Sequence, residues 1–262
     1  MDWLFYLMLA ASAIAGYLLG NISSGYIISM AISRKDVRKY GSHSAGTTNM
    51  IRMYGTGIGA ATFVCDVLKG AIAAFAGVVL AGATGGMLAG LAAVAGHNWP
   101  ALLKFRGGKG IATTAGMLLV LFPKETAVLL VAAIAVIAIT RIVSIGSLAG
   151  VCMITLAVVF HTAFNIPNTT LNGMSDAVTI VTVPASIASL FPVFIYAGMG
   201  LIFAMAFFSH RENLKRLFTG TERRLKFRRS ASVLKESRTK QADTENKQPE
   251  TDETKQKKVL MQ

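Results

Sequence analysis

Residues 80–103 read LAGATGGMLAGLAAVAGHNWPALL, a stretch without Asp, Glu, Lys or Arg. A helix needs about 20 mostly apolar residues to cross a bilayer, and this stretch supplies them. Ile142 to Ser175 is likewise free of those four residue types. The wider composition agrees. Of 262 residues, 53% are hydrophobic and 15% charged, with a mean hydropathy of +0.54, whereas soluble domains carry roughly a quarter charged residues. Such a chain is not a disordered protein, a collagen or a disulfide-rich secreted scaffold. It reads as all-α, a polytopic bundle of transmembrane helices.

The apolar segments predict spans at 3–31, 58–80, 84–103, 111–122, 126–140, 142–163 and 186–208, about seven in all. Residues 111–122 and 126–140 are each shorter than a full crossing. One bent hairpin or re-entrant segment over 111–140, with five or six spans in total, is the alternative. Frequent glycine (25 Gly) suits helices whose backbones approach closely in lipid. The front end, MDWLFYLML, has no basic residue before its apolar run, so it reads as a retained first span rather than a cleaved signal peptide.

Charge then sets orientation. Alternate loops hold Arg34, Lys35, Arg38, Lys39 and Arg52; then Lys104, Arg106 and Lys109; then Arg141; then the C-terminal tail. The opposite loops hold Lys124 alone. The positive-inside rule therefore predicts the N-terminus outside and the C-terminus in the cytoplasm. The net charge of +13 is uneven: residues 211–262 carry 15 Lys/Arg against 8 Asp/Glu. No aromatic-plus-basic recognition motif accompanies this charge, so it reads as a membrane-proximal segment with no nucleic-acid partner. The expected organisation is a transmembrane domain over 1–222 and a charged, disordered tail over 223–262. Cys65 and Cys152 each sit inside apolar stretches and imply neither a disulfide nor a metal.

Four polar clusters fall on the predicted cytoplasmic side. The first runs from Asp36 to Gly55 and contains Gly41-Ser42-His43-Ser44-Ala45-Gly46-Thr47-Thr48-Asn49 and Arg52. Hydroxyls between glycines offer side-chain donors together with exposed backbone N–H groups, the usual cradle for phosphate. Arg52 adds a fixed-charge fork. A plain polar loop with helix caps is the competing account. The second is Asp66-Val-Leu-Lys69-Gly70 within an apolar helix, where Asp66 and Lys69 lie three apart on one face and form a structural polar pair or contact substrate.

The third is Gly96-His97-Asn98-Trp99-Pro100 followed by Gly107-Gly108-Lys109-Gly110. A lysine beside the open N-terminus of a helix is suited to an anion. The glycine spacing is not that of a Walker A loop. His97, taken alone, reads as a capping or headgroup-level histidine. The fourth is Ser209-His210-Arg211-Glu212-Asn213-Leu-Lys215-Arg216-Leu217, followed by Gly220-Thr221-Glu222, where His210 and Asn213 share a helical face. There is no GxSxG elbow, no HExxH and no pair of closely spaced carboxylates, so no metal, other cofactor or covalent intermediate is expected.

Together these clusters resemble the bacterial acyl-phosphate:glycerol-3-phosphate acyltransferases, the integral-membrane PlsY family. The resemblance covers roughly residues 12–222 and rests on motifs in order: Gly20-Asn21-Ile22-Ser23-Ser24, GSxxxGxTNxxRxxG at 41–55, DxxKG at 66–70, GHxWPxxxxFxGGKGxAT at 96–113, RxVSxGS at 141–147 and HRxNxxR at 210–216. It implies transfer of a fatty acyl group from acyl phosphate to the 1-hydroxyl of sn-glycerol 3-phosphate at the bacterial cell membrane, with no covalent intermediate. By that likeness Ser42, Thr48, Asn49, Arg52, Lys109, Ser144 and Ser147 bind phosphate, and His210 and Asn213 hold glycerol 3-phosphate. The catalytic set is then Ser42, Arg52, Lys109, His210 and Asn213. The acyl chain is expected in a groove between spans.

One departure matters. Where the family reads Gly-Ser-Gly-Asn-Pro-Gly-Ala-Thr-Asn, this chain has His43, Ser44, Ala45 and Thr47. His43 replaces a glycine at a position suited to unusual dihedrals. That change motivates a rival expectation, a weak or inactive paralogue that binds a phosphorylated lipid or metabolite.

Overall fold

The computed structural model describes residues 2–164, 183–184 and 189–225. Of the tail expected to be disordered, residues 226–262 lie outside the described residues. Among the described residues the regular elements are all helical. They are α1 (Asp2–Asn21), α2 (Ser24–Ser33), α3 (Thr47–Tyr54), α4 (Thr56–Asn98), α5 (Ile111–Leu121), α6 (Pro123–Thr140), α7 (Val143–Ala163), α8 (Phe191–Ser209) and α9 (Arg211–Phe218).

Among the described residues, five apolar segments are long enough to cross a membrane: Trp3–Ser33, Thr56–Leu103, Pro123–Thr140, Val143–Ala163 and Phe191–Ser209. The difference from the seven expected has two sources. The segments at 58–80 and 84–103 belong to one helix, α4, that turns at Ala81 (φ −146°) and Gly82 (φ +64°, ψ −161°). The segment at 111–121 is helical but too short to be counted. Gly82 is needed at the turn because its left-handed backbone penalises any side chain.

Beyond the turn the two limbs of α4 run back alongside each other. A Cβ added at Gly77 would lie 2.2 Å from the Gly85 carbonyl oxygen, so the backbones touch there. Helix α1 lies against the second limb in the same manner. A Cβ at Gly16 or Gly20 would come within 2.2 Å of the carbonyls of Ala89 and Ala93. In lipid, where apolar side chains gain little by leaving the solvent, such close backbone approach replaces the hydrophobic effect as the source of packing energy.

Helices α4, α5, α7 and α8 enclose the core, with Val78, Met117, Val158, Met199 and Ile202 buried. Large apolar side chains point the other way as well: Ile14, Val131, Ile139 and Leu156 are each more than 60% exposed. An outer surface this apolar fits a hydrocarbon surround, not water.

The first apolar segment is broken at Ile22–Ser23 between α1 and α2. Short polar side chains here compete for backbone groups. The carbonyl of Ile22 accepts from Lys69 Nζ at 3.0 Å, which answers the rule that no backbone polar group is left unsatisfied at membrane depth.

Candidate active site

The four polar clusters meet at one end of the bundle. Arg38 donates to the carbonyls of Leu103 (2.8 Å) and Arg106 (3.0 Å), joining the first loop to the third. The Ala45 N–H reaches the Gly107 carbonyl at 3.3 Å. Lys109 Nζ donates to Asn213 Oδ1, bringing in the C-terminal cluster. The Leu225 N–H closes the ring on the Arg141 carbonyl at 2.6 Å. Leu225 is buried against the same site.

The first loop is built by two side chains. Asp36 accepts the Arg38 N–H (2.9 Å) and pairs with its guanidinium (2.8 Å), and that pairing holds the Asp36 carboxyl below the usual carboxylate range. Asn49 is 1% exposed; its Oδ1 accepts from the Ser42 N–H (2.9 Å), and its amide donates to the carbonyls of Val37, Tyr40 and Ser44. Asn49 therefore shapes the loop that presents Ser42. His43 sits at φ +56°, the left-handed region that the family's glycine would occupy without strain.

Ser42, Thr48, Asn49, Arg52, Lys109, Ser144, Ser147, His210 and Asn213 all line one cavity of about 540 Å³. Three helices begin at its mouth: α3, α5 and α7 start without a side-chain cap, and their first turns (Thr47 and Thr48, Ile111 and Ala112, Val143 and Ser144) line it. Uncapped helix starts direct free N–H groups and partial positive charge at whatever fills the mouth. Burial pulls the Lys109 ammonium down to about 8. Burial likewise lowers the Arg52 guanidinium. Both cations therefore gain by acquiring an anion.

His210 is drawn down to about 4, by burial first and by the Lys109 charge second. Its Nδ1 lies 2.8 Å from the Ala206 carbonyl, which assigns the proton to Nδ1 and leaves Nε2 as an acceptor.

Glu222, which ends the fourth cluster, has no role in the sequence reading, but the structure gives it one. Its carboxylate accepts from Ser144 Oγ (3.0 Å), Asn213 Nδ2 (2.6 Å) and Arg216 Nε (2.7 Å). Burial favours its neutral form, but the bonds from Arg216, Asn213 and Ser144 outweigh that and leave it below the usual carboxylate range. An acid closing the basic run HRENLKRLFTGTE was the available signal.

Below the mouth lies a second polar cluster. The three donors of the Lys69 ammonium are matched by three acceptors: Asp66 Oδ1 (2.9 Å), the Ile22 carbonyl (3.0 Å) and His97 Nδ1 (2.7 Å). Ser24 Oγ donates to the same Asp66 oxygen. The expected Asp66–Lys69 pair is present. His97, expected at a cap or headgroup, instead completes that pair. It also supports the lysine loop: the Gly108 N–H bonds to the His97 carbonyl at 3.0 Å, and a Cβ at Gly108 would lie 2.0 Å from His97 Nε2.

The depth of the cavity is apolar. Leu118 of α5, Leu129, Leu130 and Ile137 of α6 and Val151 and Ile154 of α7 form its walls. The result is a slot with a cationic, donor-rich mouth and a hydrocarbon-like interior.

A family model described as glycerol-3-phosphate acyltransferase matches residues 10–220. A glycerol-3-phosphate acyltransferase of Thermoanaerobacter pseudethanolicus is 40% identical over 214 residues, covering 82% of this chain and 94% of that protein. One of Clostridioides difficile is 38% identical over 224 residues, covering 81% and 93%. Among solved structures, the glycerol 3-phosphate form of PlsY (YgiH), an integral membrane glycerol 3-phosphate acyltransferase, superposes with a TM-score of 0.67 at 28% identity, covering 83% of this chain and 96% of that one. Its lysophosphatidic acid form gives 0.64 at the same identity. With its motifs gathered in one slot and this likeness along most of its length, the chain belongs to the glycerol-3-phosphate acyltransferase (PlsY) family.

Proposed function

We propose that this protein transfers a fatty acyl group from acyl phosphate to the 1-hydroxyl of sn-glycerol 3-phosphate, releasing lysophosphatidic acid and inorganic phosphate. One observation carries the reading: Ser42, Thr48, Arg52 and Lys109 share a cavity mouth with His210 and Asn213, while its depth is apolar. In this reading Ser42, Thr48, Arg52, Lys109, Ser144 and Ser147 hold phosphate groups, and Asn49 holds the loop that presents them. His210 and Asn213 hold glycerol 3-phosphate, with Glu222 as a positioning residue for Asn213 and Ser144. The acyl chain occupies the slot. The two ligand forms of the PlsY neighbour support these ligand classes.

Acyl phosphate is already a mixed anhydride, so no enzyme nucleophile is needed. The glycerol hydroxyl oxygen attacks the acyl carbonyl, and the bond from that carbon to the phosphate oxygen breaks. Charge gathers on the departing phosphate, where Arg52, Lys109 and the helix starts meet it. Neutral His210, its basicity reduced to about 4, orients the hydroxyl through Nε2 but is too weak a base to remove its proton. A phosphate oxygen, with a second pKa near 6, is the better acceptor.

The same reading sets the mouth at the cytoplasmic face of the bacterial plasma membrane, with seven crossings, the N-terminus outside, a catalytic unit over 1–222 and a tail over 223–262. The gathering of basic loops at one end supports it. The deciding experiment supplies purified protein with labelled glycerol 3-phosphate and either acyl phosphate or acyl-CoA. Lysophosphatidic acid is expected from acyl phosphate alone. Equal use of acyl-CoA overturns the donor, and no product above a Lys109→Ala control overturns the activity.

A further inference from the structure

The slot does not run through the protein. Along α6 its lining extends from Ala138 at the mouth to Thr126, and along α7 from Val143 to Ile154. The next side chains toward the far end are closed core: Leu121 and Phe122 are 1% exposed and Val158 is 0%. Thr126 rests on this layer, its N–H bonded to the Phe122 carbonyl at 3.0 Å, and its Oγ1 is buried without a partner. Phe122 is held edge-on by His161 (centroids 6.4 Å apart), and His161 is itself pinned by Glu125 at 3.0 Å. The layer is therefore fixed on both sides.

The depth follows from helix geometry. At about 1.5 Å per residue, the α6 wall is about 18 Å deep and the α7 wall about 16 Å. Carbon–carbon bonds of about 1.5 Å meeting at about 111° advance an extended chain about 1.25 Å per carbon. An extended chain of about fourteen carbons therefore fills the slot from mouth to floor. We propose that Thr126, braced by Phe122 and lining the slot's end with Ile154, is the floor of the acyl slot and sets the preferred chain length at about fourteen carbons. The inference rests on the reading that the slot takes the acyl chain. Its physical basis is packing. In lipid a methylene gains little by changing one apolar medium for another, so length is selected by fit. Surplus methylenes must displace a close-packed layer, at a cost of about fivefold or more in affinity.

The test uses the full chain in lipid nanodiscs with saturated lysophosphatidic acids of ten to eighteen carbons, binding read by thermal stabilisation. Turnover is read in parallel with acyl phosphates of the same lengths. Binding is expected to peak at about fourteen carbons and to be about fivefold weaker at eighteen. Thr126→Leu raises the floor and should move the peak to about twelve carbons. The ten-carbon ligand stops short of the floor and should bind the variant unchanged, which certifies its fold; Ile154→Phe raises the same floor from α7 if Thr126→Leu does not fold. A flat length profile, or a peak that neither variant moves, overturns the inference. Length-selective binding without turnover of any acyl phosphate supports the floor and overturns the acyltransferase reading instead.

Discussion

Two polar clusters lie near each other in this bundle and are built from the same kinds of residue, yet they are balanced differently. At the core of the Ser24–Asp66–Lys69–His97 cluster every donor of the ammonium has an acceptor. At the mouth, Arg52, Lys109 and Arg216 share the Glu222 carboxylate. A matched cluster holds α2 and both limbs of α4 together and, although Asp66 and His97 also line the cavity, it has no unneutralised charge to attract an anion. An unmatched one is stable only with solvent or an anion in reach. Charge balance, more than residue type, separates the structural cluster from the site.

The largest expected effect breaks the matched cluster. Asp66→Ala leaves Lys69 buried without its counter-charge, a change that typically costs about 3–5 kcal/mol, so the variant should melt far below the unchanged protein or fail to accumulate in the membrane. A melting temperature within a few degrees of the original would show that the cavity, which Asp66 and His97 also line, solvates Lys69 well enough to replace its counter-charge. At the mouth the consequence is reversed. Lys109→Ala should fold normally and lower turnover by about 10²–10³, the usual loss when one stabilising donor is removed from a charge-developing site. Loss of folded protein there would erase the distinction.

Titration sharpens the comparison. Lys109 in the free protein is pulled down to about 8, so raising the pH through 8 discharges it and should raise KM for the phosphate substrate by up to about tenfold between pH 7 and 9. His210, drawn to about 4, is neutral throughout and contributes no change in that window. Lys109→Arg, which keeps its charge, should flatten the profile; a slope that persists assigns the titration elsewhere. The smallest effect concerns His43. With φ at +56°, His43→Gly should relieve strain and stabilise the protein by up to about 1 kcal/mol, with turnover within twofold. A loss of stability would mean that the His43 contact with the Arg38 carbonyl outweighs the strain.

How much of this was legible beforehand depends on sequence separation. Apolar runs placed a boundary between residues 80 and 84, and α4 turns at Ala81–Gly82, because a glycine and a break in the pattern are local signals. The bases on alternate loops anticipated that four clusters would share one end. The break at Ile22–Ser23 was read only as a family motif within a continuous span, since its reason, the Lys69 ammonium, lies 47 residues further along the chain. His97 was misread for the same cause, its partner Lys69 being 28 residues away.

Local chemistry therefore sufficed for the helices, their apolar exteriors and the residue types available for an anion. Those properties depend on periodicity, hydropathy and turn residues that neighbours in the chain supply. Which cations are neutralised, that Asn49 shapes a loop, that Glu222 reaches Ser144 and where the slot stops depended on the packing of distant helices. Each is a balance between charge and burial, and burial exists only once the bundle has closed.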